Sequence, residues 1–95
     1  MDGTVKIPIR AFPKRGPASS SFTVVWASEV APAGFAYDVQ VKRMGHTWKP
    51  WKDSVSYSGA SYLPALRGTF RFRARLRTDS GAFSGWSEPD SISVI

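Results

Sequence analysis

Four arginines alternate with apolar residues along Phe70–Arg77. The apolar residues occupy positions 70, 72, 74 and 76, and the arginines are Arg71, Arg73, Arg75 and Arg77. A period of two is that of a β-strand, whose successive side chains point to opposite faces. The arginines therefore form a column on one face of a strand. Such a column can bind an anionic partner, or it can stack on aromatic rings through cation–π contacts.

Two aromatic residues follow this strand closely, Phe83 and Trp86. They are three residues apart, so a polyproline II segment places both rings on one side, about 9 Å from each other. Outward side chains on a strand repeat about every 6.8 Å, so rings and guanidinium planes can interleave. The spacing predicts a structural ladder, whose members are Phe83, Trp86, Arg71, Arg73 and Arg75.

The neighbouring strand supplies two further groups that can face this column. Asp38 and Gln40 alternate with apolar residues on Phe35–Arg43 and are predicted as cross-strand partners of the arginines. Arg77, at the loop end of the column, is the arginine predicted to remain free. If the column is instead an anion-binding face, all four arginines are candidate binding residues.

A second candidate binding site is the segment Trp48-Lys49-Pro50-Trp51. An exposed tryptophan beside a lysine can stack on a sugar ring or an aromatic ligand. In an extended chain, residues three apart point to opposite faces. We therefore expect one of Trp48 and Trp51 to cover the sheet and the other to face outward.

The sequence predicts no catalytic residue, metal site or cofactor. It contains no cysteine and a single histidine, His46, next to a turn glycine. A lone histidine with no nearby carboxylate makes neither a metal site nor a catalytic triad. The seven carboxylates are scattered, and the chain has no glycine-rich phosphate loop. An enzyme is therefore not expected.

The net charge is +6 over 95 residues. Small soluble domains commonly carry a charge of about 2–8, so this value alone does not indicate a nucleic-acid partner, and no RNA-binding signature is present. No apolar stretch approaches the roughly 20 residues of a membrane-spanning helix. The first residues lack the basic and apolar regions of a signal peptide.

The elements that must position these groups are short strands. Proline and glycine recur about every ten residues and separate short alternating runs, which is typical of an all-β sandwich or barrel. We predict a single domain over residues 1–95, in which residues 1–20 form an edge strand and a Pro/Gly/Ser-rich connection. The predicted strands are Thr4–Arg10, Ser21–Ser28, Phe35–Arg43, Thr47–Lys52, Ala60–Leu66, Phe70–Arg77 and Ser91–Ile95.

Seven strands indicate an immunoglobulin-like antiparallel β-sandwich, with the first, second and fifth strands facing the other four. Its predicted inner face consists of Phe22, Val24, Trp26, Tyr37, Val39, Val41, Leu66, Phe70, Phe72, Ala74, Leu76, Ile92 and Val94.

Several of these landmarks together resemble the fibronectin type III family. They are Trp26 in the second strand, Tyr37-Asp-Val39 in the third, Leu66-Arg-Gly68-Thr69-Phe70 before the arginine strand, and Ser84-Gly85-Trp86-Ser87 before the last strand. The segment 83–87 is also similar to the Trp-Ser-x-Trp-Ser box of cytokine-receptor domains, which in that group stacks on arginines. Phe70 stands where the family has a corner tyrosine, and no Arg-Gly-Asp motif is present.

The resemblance implies a non-catalytic protein-interaction or spacer module of a larger surface or secreted protein. Its expected partners are another protein or a polysaccharide together with neighbouring domains, and its expected location is extracellular or at the cell surface. An alternative is a structural protein of an assembly, such as a virion decoration or tail protein, because the chain begins with Met1 and stops at the final strand. A further alternative is binding of an anionic polysaccharide through the arginine face.

Overall fold

Eight β-strands form two sheets over residues 9–95, the part of the chain that the computed structural model describes. The strands are β1 (Arg10–Phe12), β2 (Arg15–Gly16), β3 (Phe22–Val25), β4 (Phe35–Arg43), β5 (Lys49–Val55), β6 (Gly59–Tyr62), β7 (Gly68–Thr78) and β8 (Asp90–Val94). One sheet has the order β1-β3-β6 and the other the order β2-β8-β7-β4-β5. The predicted immunoglobulin-like sandwich is confirmed, and the second to seventh predicted strands lie in the sheets predicted for them.

The beginning of the chain differs from the prediction. Residues 4–8 of the predicted first strand lie outside the described residues, and the predicted connection over residues 11–20 contains most of β1 and all of β2. β1 pairs antiparallel with β3, whereas β2 pairs in parallel with β8. The physical reason is Pro13, which lacks an N–H group and cannot continue the ladder with β3. The first strand is thus divided between the two sheets, which gives eight strands instead of seven.

β5 continues three residues beyond its predicted end at position 52. Its pairing with β4 is irregular, with register shifts on either side of Val39, and resumes at Tyr37 opposite Val55. A bulge of this kind absorbs extra residues in one strand without ending the ladder. The Asp38 side chain stabilises it, because its Oδ1 accepts a hydrogen bond of 2.9 Å from the backbone N–H of Ser54. From composition alone the polar segment Asp53–Gly59 predicts a loop, whereas the structure places residues 53–55 in β5.

The core lies between the sheets and is rich in aromatic rings. Of the predicted inner-face residues, ten are buried: Phe22, Val24, Trp26, Tyr37, Val39, Phe70, Phe72, Ala74, Ile92 and Val94. Trp51 and Tyr62 also point into the sandwich, with ring centroids 5.2 Å apart. The Trp51 ring lies 5.9 Å from that of Trp26, whose indole N–H donates to the Tyr57 carbonyl oxygen at 2.8 Å. These edge-to-face contacts stabilise the core beyond simple burial.

Leu66 is the predicted core residue that the structure does not bury. Its exposure is 55%, whereas Val41 and Leu76 are partly buried against the core. The backbone of Ala65 has a φ of 60°, in the left-handed region, and this turns the chain just before Leu66. The Tyr62 ring lies 5.8 Å from the ring of Phe70 and covers the end of the core instead.

Candidate functional site

Rings and guanidinium groups alternate in a stack on the outer face of the five-stranded sheet. From one end to the other, its members are Trp48, Arg73, Trp86, Arg75, Phe83 and Arg77. The successive distances from guanidinium Cζ to ring centroid are 4.2, 4.6, 4.5, 3.8 and 5.4 Å. The ammonium of Lys42 lies 5.7 Å from the Trp48 ring at the end of the stack. Each such contact contributes about 0.5–1 kcal/mol when exposed and about 2 kcal/mol when desolvated.

Two serines hold the segment carrying Phe83 and Trp86 against β7. The N–H of Ser84 donates to the Leu76 carbonyl oxygen at 2.8 Å, and the Ser84 Oγ accepts from the Leu76 N–H at 2.9 Å. Ser87 makes the same pair of bonds with Ala74, at 2.8 and 3.0 Å. The two serines are three residues apart and bond to two β7 residues, Leu76 and Ala74, that are two residues apart. The aromatic residue before each serine points toward the arginines.

The neighbouring strand β4 supplies the hydrogen-bond acceptors of the stack. Asp38 and Gln40 face the column, as predicted, and the ladder places Gln40 opposite Arg73 and Asp38 opposite Arg75. The Nε of Arg73 donates to Gln40 Oε1 at 2.8 Å. Asp38 Oδ2 accepts from the Nε of both Arg75 and Arg77, at 2.9 and 2.8 Å. One carboxylate therefore joins two successive arginines of the column.

The electrostatics of Asp38 follow from these bonds. Burial by itself raises the pKa of this carboxyl, since its exposure is only 4%. Hydrogen bonds from Arg77, the Ser54 backbone and Arg75 outweigh burial, so the pKa of Asp38 lies below its ordinary value. The same contact with Asp38 raises the pKa of Arg77. Burial, followed by repulsion from Arg75, lowers the pKa of Arg73.

The structure brings together most of the predicted ladder. The stack contains Phe83, Trp86, Arg73 and Arg75, each in contact with the next ring or guanidinium group. Arg71 is exposed and makes none of the cation–π contacts found among residues 9–95. The prediction that Arg77 is the free arginine is wrong, because it pairs with Asp38 and, through Nη2, with Asp53 Oδ1 at 3.2 Å. The twist of the strands carries the loop end of the column toward the carboxylates and the opposite end away from the rings.

The two tryptophans of the Trp48–Trp51 segment point to opposite faces, as predicted from their spacing. Trp51 packs inward against Trp26, Tyr62 and Phe72, so its ring is not available for stacking on a ligand. Trp48 faces outward, and one of its faces is covered by Arg73. The candidate ligand site at Trp48 and Trp51 is therefore divided by the sheet.

Three contributors to the stack were not found from the sequence. The sequence predicts Trp48 only as a ligand-binding residue. Its approach to Arg73 depends on the position of the β4–β5 turn, which the sequence pattern does not predict. Ser84 and Ser87 carried a signal that was readable, since an aromatic–serine dipeptide occurs twice at a spacing of three, Phe83-Ser84 and Trp86-Ser87.

Residues 9–95 contain neither a metal-binding cluster nor a membrane-spanning helix. No group of three or more histidine, aspartate or glutamate side chains in this range is placed to hold a metal ion. None of the elements in the same range is a helix long and apolar enough to cross a membrane. His46, in the turn after β4, is exposed.

The chain was compared with known proteins. No family model matches it, and no curated protein matches it. Among solved structures, it is similar to the PKD domain of an M14-like peptidase from Thermoplasmatales archaeon SCGC AB-540-F20. The TM-score is 0.58 and the identity 13%, over 90% of this chain and 91% of that chain. At this identity the likeness establishes the fold alone, an immunoglobulin-like β-sandwich.

Proposed function

We propose that this chain is a non-catalytic interaction or spacer module, of the fibronectin type III kind, within a larger surface or secreted protein. The resemblance in motif order is supported by the strand order of the two sheets. It is also supported by the bonds that Ser84 and Ser87 make with β7, because they give the box-like segment 83–87 a defined position beside the arginines.

The observation that carries the proposal is the direction of the outermost strands. Arg10 in β1 pairs with Val25, where β3 ends, whereas Val94 in β8 pairs with Gly68, where β7 begins. Arg10 therefore lies at the end of the three-stranded sheet away from Gly68, level with the middle of β7, because the neighbouring Ala11 N–H donates to Asp90, which pairs with Phe72. The molecule measures 42 × 24 × 21 Å, and the eleven-residue β7 accounts for about 36 Å of a fully extended length. The path from β1 to β8 therefore runs toward the Gly68 end of this elongated body, and such a direction suits modules joined in series.

We further propose a structural role for the stack. Its three arginines contact aromatic rings and hydrogen-bond to Gln40 or Asp38, and the side chains of Arg75 and Arg77 are only 22% and 28% exposed. Cations already engaged in this way must lose internal contacts to bind an external anion. The alternative of polysaccharide binding through the arginine face is therefore supported only at Arg71, which is exposed.

The spacer proposal is tested by joining two copies of the 95-residue chain head to tail. We expect small-angle X-ray scattering to give a maximum dimension of roughly twice the 42 Å length of one copy. We also expect a single copy to elute as a monomer in size-exclusion chromatography with light scattering. The single copy is the matched control for the tandem chain.

Two results would contradict the proposal. A tandem chain hardly longer than one copy would mean that the ends are not suited to connection in series. A single copy that elutes as a large discrete oligomer would favour the alternative of a structural subunit in an assembly, such as a virion protein.

A further inference from the structure

The formal charge is divided unevenly along the sandwich. We call the basic end the end at which β4 and β8 finish and β5 and β7 begin. Six basic residues lie there: Arg15, Lys42, Arg43, Lys49, Arg67 and Arg71. The six described carboxylates all lie elsewhere, together with the other six described basic residues, so charges balance in the remainder. The net charge of residues 9–95 is therefore concentrated at one end.

The basic end is not neutralised by the described carboxylates. The ion pairs among residues 9–95 join Lys14, Arg75 and Arg77 to carboxylates, and none includes a basic-end residue. Lys42 lies directly opposite Arg71 in the β4–β7 ladder. Like charges in directly opposed positions repel each other. Such an arrangement favours association with a negatively charged partner.

An apolar cleft opens at the same end, between the β4–β5 turn and the β6–β7 connection. Its volume is about 220 Å³, and its floor includes Val41, Tyr62 and Phe70. Arg43 and Lys49 line its rim. Drug-sized ligand pockets measure about 300–1,000 Å³, so this cleft has room for a smaller group, such as one large side chain.

The β6–β7 connection presents leucines beside this cleft. Leu66 lines it and is 55% exposed, and Leu63 in the same connection is 69% exposed. The left-handed backbone of Ala65, between them, is strained for a residue other than glycine. The Arg43 side chain passes close to the backbone of Gly68, since a Cβ at position 68 would lie 3.0 Å from Arg43 Nε. Neighbouring apolar residues that a strained turn holds exposed to solvent indicate an interaction surface.

We propose that the cleft at the basic end binds an acidic segment of a partner protein that carries one large apolar side chain. The apolar side chain fills the cleft against Tyr62 and Leu66, and flanking carboxylates pair with Arg43, Lys49 and Arg67. A sulfated polysaccharide satisfies the charges but leaves the leucines exposed to water, so the peptide is the better match. The inference rests on the proposed interaction function and adds the site and the class of partner.

The test uses two short fluorescent peptides of equal charge with the 95-residue chain. Both consist of glutamates around a central pair, Leu-Phe in one peptide and Ser-Gly in the other. In fluorescence anisotropy at low ionic strength we expect the Leu-Phe peptide to bind about tenfold more tightly, since burial of one large apolar side chain contributes about 1.5–3 kcal/mol, equivalent to at least tenfold. Amide shifts mapped by NMR on the unchanged protein should centre on Val41, Tyr62 and Phe70.

Three variants separate the apolar and ionic contributions. Leu66→Ser should abolish the preference for the Leu-Phe peptide. Lys49→Glu should weaken both peptides several-fold, about as expected for reversal of one surface charge. Arg10→Glu changes the net charge equally at a position outside the basic end and is the matched control, with affinity close to that of the unchanged protein. Melting temperatures verify that each variant folds.

Equal affinities for the two peptides, or NMR shifts spread over the arginine stack, would overturn the inference. So would tighter binding of a heparin oligosaccharide that displaces the Leu-Phe peptide, because it would assign the basic end to a polysaccharide. These outcomes leave the tandem scattering result untouched, so the spacer proposal and the cleft proposal fail independently.

Discussion

At the scale of single residues, Asp38 has the most consequential environment in the molecule. Its Oδ2 accepts hydrogen bonds from two arginines of the stack, and its Oδ1 accepts from the backbone at the β5 bulge. A buried carboxylate with these partners stabilises the fold as long as it is ionised. Removal of its charge leaves Arg75 without a counter-charge and Arg77 with only the exposed Asp53, which is more costly than loss of an exposed ion pair.

We predict an acid-dependent stability that originates at Asp38. A group whose folded-state pKa is depressed stabilises the fold above its unfolded pKa of about 3.9 and loses this contribution as the pH falls through the folded pKa. Asp38→Asn should lower the free energy of unfolding at neutral pH by about 2–4 kcal/mol. Urea titrations from neutral pH down to about pH 2 should show a shallower acid dependence in Asp38→Asn than in the unchanged protein.

Asp79→Asn is the matched control for this prediction. Asp79 is exposed in the turn after β7, and no side-chain ion pair is formed by it among residues 9–95. The same acid slope in Asp38→Asn and in the unchanged protein would rule out Asp38 as its origin. Some acid dependence should remain in every variant, because a hydrogen bond from Lys14 lowers the pKa of Asp90 against the opposing effect of burial.

At the scale of elements, the stack joins three parts of the chain that are distant in sequence. Trp48 follows β4, the arginines stand on β7, and Phe83 and Trp86 lie on the segment before β8. The segment 83–87 is not a strand and depends on the two serines and on ring stacking for its position. The stack therefore helps to hold this segment against the sheet, as ladder hydrogen bonds hold a strand.

Arg73 is the position where this idea is tested most directly. Arg73→Ala removes contacts with two rings, at 4.2 and 4.6 Å, and the hydrogen bond to Gln40. We expect a loss of about 1–2 kcal/mol and a melting temperature lower by about 5–10 °C. Hydrogen exchange at Ser87 should also become faster, since the segment is held less firmly.

Arg71→Ala provides the comparison on the same strand. This arginine is exposed and should contribute less than about 0.5 kcal/mol, typical of surface substitutions. Arg73→Lys keeps the charge but not the planar guanidinium, and should recover only part of the lost stability. A change in melting temperature below about one degree in Arg73→Ala would disprove a stabilising role for the stack.

In the molecule as a whole, the net positive charge of the described residues is concentrated at one end of the elongated sandwich. The basic end carries six positive side chains without a described carboxylate, and the rest of the described residues balance. Such polarity orients a molecule as it approaches a charged surface, because the local potential and not the net charge decides which end makes contact.

This polarity predicts unequal effects of equal charge changes. Arg67→Glu at the basic end and Arg10→Glu outside it lower the net charge by the same amount. Arg67→Glu should shorten retention on a sulfonated cation-exchange column considerably more than Arg10→Glu does. Equal retention of the two variants would indicate that the net charge alone governs adsorption.

Much of this organisation follows from local pattern. The alternation over Phe70–Arg77 predicts both a strand and its outward arginine column, and Asp38 and Gln40 are predicted to face that column from the neighbouring strand. These predictions hold because the two-residue period of a strand is a property of the local backbone. The three-residue spacing of Phe83 and Trp86 likewise places both rings on one side.

Alternation along the chain is enough to predict which residues can share a face: the apolar core positions, the arginine column, and the opposition of Trp48 and Trp51. Which members of that column find partners depends instead on tertiary contacts. Strand twist carries Arg77 to Asp38 and Asp53 and leaves Arg71 in water, and the turn after β4 brings Trp48 onto Arg73. The exposure of Leu66 and the concentration of charge at one end also depend on the tertiary structure and are not predicted by the sequence pattern. Contacts between segments far apart in sequence depend on turn geometry and on the twist of the sheet, and neither has a period that can be read along the chain.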